Sequence, residues 1–309
     1  MSHMKKSTTP LVSIVVPTRN SARTLNRCLE SIHNQTLSCE VIVVDNGSTD
    51  DTIQIAAQFG FRVLRGGPER SAQRNIGLAA CESDIVGFVD SDMILEPQVA
   101  AQAYDLITND YVAAVVPEYT SGTGYWTAVR AYERSMYLEN PNVEAARFFQ
   151  KSLVLQLHGF NEELTGGEDW DLEIRVRQHG RIGRISARIE HDEGKLRYLE
   201  ACRKKGYYAR GYAKFAKEHG IRKLIAISLD RPYIKSPKIL LSARGIGLIA
   251  LKLGELTAIL LVVLRQLIID VLPHYPIGRG YPGGFISFKK NELVFRIKAN
   301  VCTQNREET

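Results

Sequence analysis

Between residues 11 and 89, four short apolar runs alternate with segments of helical spacing, and this alternation restricts the fold more than any other feature. Leu11 to Pro17 reads as a buried strand. Leu25, Cys28, Leu29 and Ile32 recur at helical spacing, so 22–33 is a helix. Glu40 to Val44 is a second strand, ending at Asp45. The loop from Asp45 to Asp50 has turn and N-cap chemistry and leads into a short helix through Thr52, Ile53 and Ala56. Phe61 to Leu64 is a third strand, Ser71 to Ala80 a helix, and Ile85 to Val89 a fourth strand. The order βαβαβαβ predicts an α/β fold: a Rossmann-like, mostly parallel, doubly wound sheet with right-handed crossovers.

In such a sheet Pro17, Asp45, Gly66 and Asp90 fall at one edge, outside the carboxyl ends of the strands, where a nucleotide would lie. The fourth strand runs straight into Asp90-Ser91-Asp92. Residues two apart on a strand point the same way. Asp90 and Asp92 could therefore share one hard cation, and Mn²⁺ or Mg²⁺ suits oxygen ligands of this kind.

Several stretches resemble family 2 glycosyltransferases of the GT-A fold, in order and spacing as well as wording. They are Val-Ser-Ile-Val-Val-Pro-Thr-Arg-Asn (12–20), Val-Ile-Val-Val-Asp-Asn-Gly-Ser-Thr-Asp-Asp-Thr (41–52), Ala-Gln-Arg-Asn-Ile-Gly-Leu-Ala-Ala (72–80) and Phe-Val-Asp-Ser-Asp (88–92). The resemblance covers roughly residues 11–195. It implies that Pro17 and Arg19 line a nucleotide pocket. Asp45 would hydrogen-bond the base, with Asn46 and Ser48 shaping the pocket around it. Arg74 would approach the diphosphate or sugar, and Asp90-Ser91-Asp92 would be the family's Asp-x-Asp, bringing the metal to the diphosphate.

A second cluster, Gly-Gly-Glu168-Asp169-Trp-Asp-Leu, opens a helix whose apolar face is Trp170, Ile174 and Val176. Acids in a first turn suit the helix dipole. They also suit general-base chemistry, because sugar transfer to a hydroxyl needs a carboxylate to accept its proton. The resemblance matches Asp169 to the base, with Glu168 in support. It also marks His191, which follows the strand Arg188 to Glu190, as a further metal ligand. Asp192 to Gly194 reads as a flexible joint or lid.

The net charge of +6 is unevenly spread. Residues 195–223 carry ten Lys and Arg against two acids, whereas 1–194 are net acidic. Tyr198, Tyr207, Tyr208, Tyr212 and Phe215 interleave with the basic run, which would suit nucleic acid or a lipid headgroup zone. The apolar runs at 237–253 and 256–272 favour lipid. Each is interrupted by charge and falls short of the ~18–20 residues that a spanning helix needs, so both read as amphipathic helices at a membrane surface. Residues 273–287 are loop-like and the tail from Thr303 reads as disordered. The five cysteines are odd in number and scattered, as in a reducing compartment. No charged region followed by an apolar one opens the sequence, so a secretory signal is not expected. The expected organisation is a remnant and tail at 1–10, a catalytic domain at 11–194, and a basic helical, membrane-associating appendage at 195–309.

These readings point to a metal-dependent transferase at the cytoplasmic face of a membrane. It would move a hexose from a GDP- or UDP-sugar donor to a lipid-linked or other membrane-surface acceptor, with inversion and without nucleic acid. The Gln-x-x-Arg-Trp motif of processive synthases is missing, which favours addition of a single sugar. The alternatives are a sugar nucleotidyltransferase, disfavoured because Pro-Thr-Arg-Asn (17–20) lacks a glycine-rich loop, and a non-catalytic adaptor on a transferase-like domain.

Overall fold

The computed structural model describes residues 10–140, 143–231, 233, 239, 241–271, 287–289 and 292–294. Up to residue 115 the order is β1 (Val12–Thr18), α1 (Ala22–His33), β2 (Cys39–Asp45), α2 (Thr52–Gln58), β3 (Arg62–Arg65), α3 (Arg70–Ala80), β4 (Ile85–Phe88), β5 (Met93–Leu95), α4 (Val99–Thr108) and β6 (Tyr111–Val115). There follow β7 (Glu118–Ser121), α5 (Tyr125–Ser135), β8 (Ala146–Gln150), α6 (Lys151–Gln156), α7 (Glu168–Arg177), β9 (Arg181–Arg184) and β10 (Ile189–Asp192). Helices then dominate: α8 (Tyr198–Tyr208), α9 (Tyr212–His219), α10 (Ile221–Leu229) and α11 (Ala243–Val271).

The main sheet has the strand order β3-β2-β1-β4-β8-β6-β9. All its pairings are parallel except those of β8, which runs against both β4 and β6. The mostly parallel, doubly wound sheet expected from the alternation is therefore present. Its central strands are buried on both faces, which is why β1, β2 and β4 are continuous apolar runs and not alternating ones. Helix α3 sits unusually close to β1, because a Cβ on Gly77 would overlap the side chain of Val15. That close seat brings the N-terminal turns of α3 to the carboxyl edge of the sheet.

A second sheet, β5-β10-β7, stands beside that edge. Its register sets His191 opposite Met93 on one side and Thr120 on the other. Segment 118–145, with no clear period in the sequence, thus supplies a strand and a helix to the site. The joint expected at Asp192 to Gly194 is held in place. Asp192 accepts a hydrogen bond from Arg27 at 3.1 Å and one from the Gly194 N–H at 2.9 Å, and the Gly194 carbonyl accepts one from Thr127 Oγ1 at 3.1 Å.

The chain divides into two compact units, Met1–Arg265 and Gln266–Thr309, so α8, α9, α10 and α11 as far as Arg265 fall in the same unit as the sheet. In the second unit the described strands are the antiparallel pair β11 (Ser287–Lys289) and β12 (Glu292–Val294). The rest of the loop expected at 273–287 and the tail from Thr303 lie outside the described residues.

The two amphipathic helices expected at 237–253 and 256–272 are instead one helix, α11. Two of the charges that seemed to interrupt it, Lys252 and Glu255, are neutralised on one face. Glu255 pairs with Arg130 at 2.6 Å and with Lys252 at 2.8 Å, and Lys252 also pairs with Glu133. Leu248 and Leu251 pack beside them against Val129 and Ala201. By length and composition alone, the stretch Ala243–Arg265 is apolar enough to cross a membrane. Its other side leaves Leu253, Leu256, Leu260, Leu261 and Leu264 exposed.

Candidate active site

The carboxyl edge of β1 and β4, the start of α3, the start of α7 and the second sheet converge on one cluster of charges. Arg74 lies at its centre and is fully buried. It donates to Asp90 Oδ1 at 2.8 Å and to Asp169 Oδ1 at 2.8 Å, and lies 3.5 Å from Glu168 Oε1. Its guanidinium also stands 5.0 Å above the Phe160 ring. One helical turn earlier, Arg70 pairs with Glu168 at 3.0 Å and approaches Asp90 at 4.0 Å. From β8, Arg147 reaches Asp90 at 3.9 Å and Asp169 at 3.7 Å, and pairs with Glu118 at 2.8 Å.

Burial would raise the Asp90 carboxyl, but Arg74, Arg70 and Arg147 together hold it well below the usual carboxylate range. Glu168 goes the other way: burial and the neighbouring Asp169 push it up. Asp169 is the open member of the group, with 29% of its side chain exposed, and it lines both cavities described below. Gly167 precedes the helix at φ 85°, in the left-handed region, and so turns the chain sharply enough to present Glu168 and Asp169 together at the sheet edge.

Asp92 faces a different partner. Its Oδ2 is 3.3 Å from His191 Nε2, a separation that suits two donors on one octahedral ion at about 2.1 Å. The other ring nitrogen of His191 lies 3.5 Å from Glu118, the kind of outer carboxylate contact that orients a ligating imidazole, and 2.9 Å from the Arg134 guanidinium. Burial and Arg134 oppose protonation of His191, but Asp92 and Glu118 outweigh them and push it up to about 9. A divalent cation between Asp92 and His191 would take the place of that proton. The residues present therefore fit a divalent ion, with Asp92 and His191 as the pair whose donor atoms are brought together. Asp90, expected as the second ligand, is turned toward the arginines. Among the described residues, three metal-competent side chains converge elsewhere, at Asp171, Glu218 and His219. There Asp171 is already committed to Arg175 at 2.6 Å and to His219 at 2.8 Å.

A cavity of about 450 Å³ lies over this edge, lined by Pro17, Arg19, Asp90, Ser91, Asp92 and His191 on one side and by Lys204, Lys205 and Tyr208 of α8 on the other. Ser91 donates to Ser21 at 2.8 Å. A second cavity of about 300 Å³ adjoins it at Asp169. Arg74, expected to approach the donor, is beneath this surface and not on it. Asp45, Asn46 and Ser48 lie at the same sheet edge but outside the lining of either cavity. Asp45 is buried and accepts hydrogen bonds from Thr18 Oγ1 at 3.0 Å and from the Ser48 N–H at 2.9 Å. Ser48 in turn accepts from the Asn20 N–H at 2.8 Å, and Asn46 donates to the Pro68 carbonyl at 3.0 Å. These three residues knit the loops at this end of the sheet edge together.

Sequence reasoning missed Arg70, Glu118, Arg134 and Arg147. Arg70 carried a signal, since it precedes Arg74 by four residues on α3 and shares its face. Glu118, Arg134 and Arg147 come from three separate elements, and no local pattern links them.

A sheet of this order with acids at its carboxyl edge defines the GT-A nucleotide-diphospho-sugar transferase fold. Two solved structures have it: the mannosyltransferase PcManGT from Pyrobaculum calidifontis, in complex with GDP-Man and Mn²⁺ (TM-score 0.53, 16% identity, 86% of this chain and 82% of that one), and S. aureus TarS 1–349 in complex with UDP (TM-score 0.52, 18% identity, 91% and 98%). At these identities the likeness is one of fold. Residues 13–161 match the family model for Glycosyl transferase family 2, and that stretch of the chain belongs to that family. Chondroitin synthase of Escherichia coli is 29% identical over 206 residues, 60% of this chain and 29% of that protein. The pre-mycofactocin glycosyltransferase of Mycobacterium tuberculosis is 30% identical over 234 residues, 67% of this chain and 48% of that protein. The chain thus spans less than half the length of these relatives.

Proposed function

We propose that the chain is an inverting, divalent-metal-dependent glycosyltransferase that moves a hexose from a GDP- or UDP-sugar to a lipid-linked acceptor at a membrane surface. The observation that carries this reading is Asp169. It is a partly exposed carboxylate shared by two adjoining cavities, with the Asp92–His191 pair lining the larger one.

In this reading the larger cavity takes the donor. Pro17 and Arg19 line its nucleotide end, and Asp45, Asn46 and Ser48 shape the loops behind them. Asp92 and His191, with Asp90 behind, would hold Mn²⁺ or Mg²⁺, which as a Lewis acid steadies the charge of a departing diphosphate. Lys204 lines the same cavity and adds positive charge there. Asp169 accepts the acceptor's proton as the oxygen closes on the anomeric carbon. Direct attack opposite the leaving group inverts that carbon. Arg74, Arg70, Arg147 and Glu168 hold Asp169 and Asp90 in place. The exposed leucines of α11 and the cations of α8 and α9 suit the surface of an anionic bilayer at the cytoplasmic face.

The test is Asp169→Asn in the full chain, with Mn²⁺ and a panel of nucleotide-hexoses. General-base catalysis contributes on the order of 10²–10⁴-fold, so transfer should fall by that factor while donor binding measured by calorimetry is kept. Full activity in the variant would remove Asp169 from the reaction.

A further inference from the structure

The adjoining cavity at Asp169 has a charge balance that restricts what can enter it. Its lining carries five cations and five carboxylates. The four arginines are all committed: Arg70 to Glu168 at 3.0 Å, Arg130 to Glu133 at 2.7 Å, and the other two to Glu118 at 2.8 Å. Lys205 is the one lining cation without a carboxylate partner among the described residues, and it sits 5.9 Å from the Tyr212 ring. A phosphate monoester would meet a single free cation here and the Asp169 carboxylate beside it. The remaining lining is rich in aromatic rings, namely Tyr137, Trp170, Tyr208 and Tyr212. Flat apolar faces with polar rims, beside acids and bases that are paired except for Lys205, match the C–H faces and hydroxyls of a sugar.

The base itself points the same way. A phosphate monoester has lost both protons at neutral pH, its second pKa being about 6, and needs no base to become a nucleophile. A sugar hydroxyl keeps its proton and needs one.

We infer that this cavity takes a neutral saccharide, the sugar end of the acceptor, which presents a hydroxyl to Asp169, and that a lipid monophosphate is not the acceptor. The inference rests on the glycosyl-transfer reading above and narrows it. The acceptor oxygen bonds to the anomeric carbon of the donor and its proton passes to Asp169. The bond from that carbon to the diphosphate oxygen breaks, and its electron pair leaves with the diphosphate.

The experiment uses the full chain with Mn²⁺ and a nucleotide-hexose panel, and offers two acceptors in parallel: octyl glycosides of common hexoses and hexosamines, and a short-chain polyprenyl monophosphate. The expected product is an octyl disaccharide. Tyr212→Ala should raise the KM for the glycoside by about tenfold while the donor KM holds, since an aromatic contact of this kind is worth roughly that factor. A sugar-phosphate lipid as product, or donor consumption that yields only free sugar in the presence of the glycosides, overturns the inference and leaves the transferase reading standing. So does a glycoside KM that Tyr212→Ala does not move. Failure of every nucleotide-hexose to bind or turn over would overturn the transferase reading, and this inference with it.

Discussion

Arg74 is where the architecture of the site can be tested as a matter of stability. Replacing it with Met keeps the length of the side chain and its apolar contact with Phe160, but removes the charge that Asp90, Asp169 and Glu168 share at 2.8, 2.8 and 3.5 Å. Arg74 is fully buried, and water cannot take over its role. Removing one partner of a buried ion pair costs about 3–5 kcal/mol, because the carboxylates left behind are desolvated and repel one another. For a domain of this size each kcal/mol moves the melting temperature by roughly 2–4 °C, so Arg74→Met should melt roughly 10 °C lower by calorimetry. Adding Asp169→Asn removes one of the stranded charges and should restore about 1–3 kcal/mol, a non-additive result. Arg23→Met is the control, because Arg23 meets Asp192 at 3.2 Å with 60% of its side chain in solvent and should change stability by no more than about 1 kcal/mol. A loss of under about 1 kcal/mol in Arg74→Met, or strictly additive losses in the double variant, would refute the view that one buried cation holds Asp90, Asp169 and Glu168 together.

Two further outcomes follow from the seat of α11. Burial would raise Glu133, but Lys252 and Arg130 lower it to about 2. A carboxylate lowered on folding contributes stability above its unfolded pKa of about 4.5 and loses it as pH falls toward 2. Hydrogen-exchange protection along α5 and α11, taken relative to the intrinsic rate at each pH, should fall across that window in the parent and change less steeply with pH in Glu133→Gln; identical protection profiles would count against the junction. Changing the exposed Leu253, Leu260 and Leu264 together to Glu should cut flotation with anionic vesicles at least tenfold, about 1.4 kcal/mol, at an unaltered melting temperature. Equal flotation would show that this face does not meet lipid.

Much of this protein is legible along the chain because its first half is built from local units. The units of β1, β2 and β4 bury their strands on both faces, so the apolar runs at Val12–Thr18, Cys39–Asp45 and Ile85–Phe88 announce a parallel sheet. The acids at the ends of those runs lie at one edge for the same reason. Glu168 and Asp169 could be named because a glycine pair and an acidic first turn are local patterns. Tertiary structure decided which acid meets which cation. Asp90 and Asp92 are two residues apart, yet one turns to Arg74 and the other to His191, because their partners arrive from α3 and from the second sheet. Arg147, Glu118 and Arg134 join the site from elements that only strand pairing and helix packing bring together. The same holds for α11. Along the sequence Lys252 and Glu255 look like breaks in an apolar run, and only their pairing with Glu133 and Arg130 on another helix makes it one continuous element. Periodicity and turn chemistry act over a few residues and can be read in order, whereas charge pairing acts through space between residues more than a hundred positions apart.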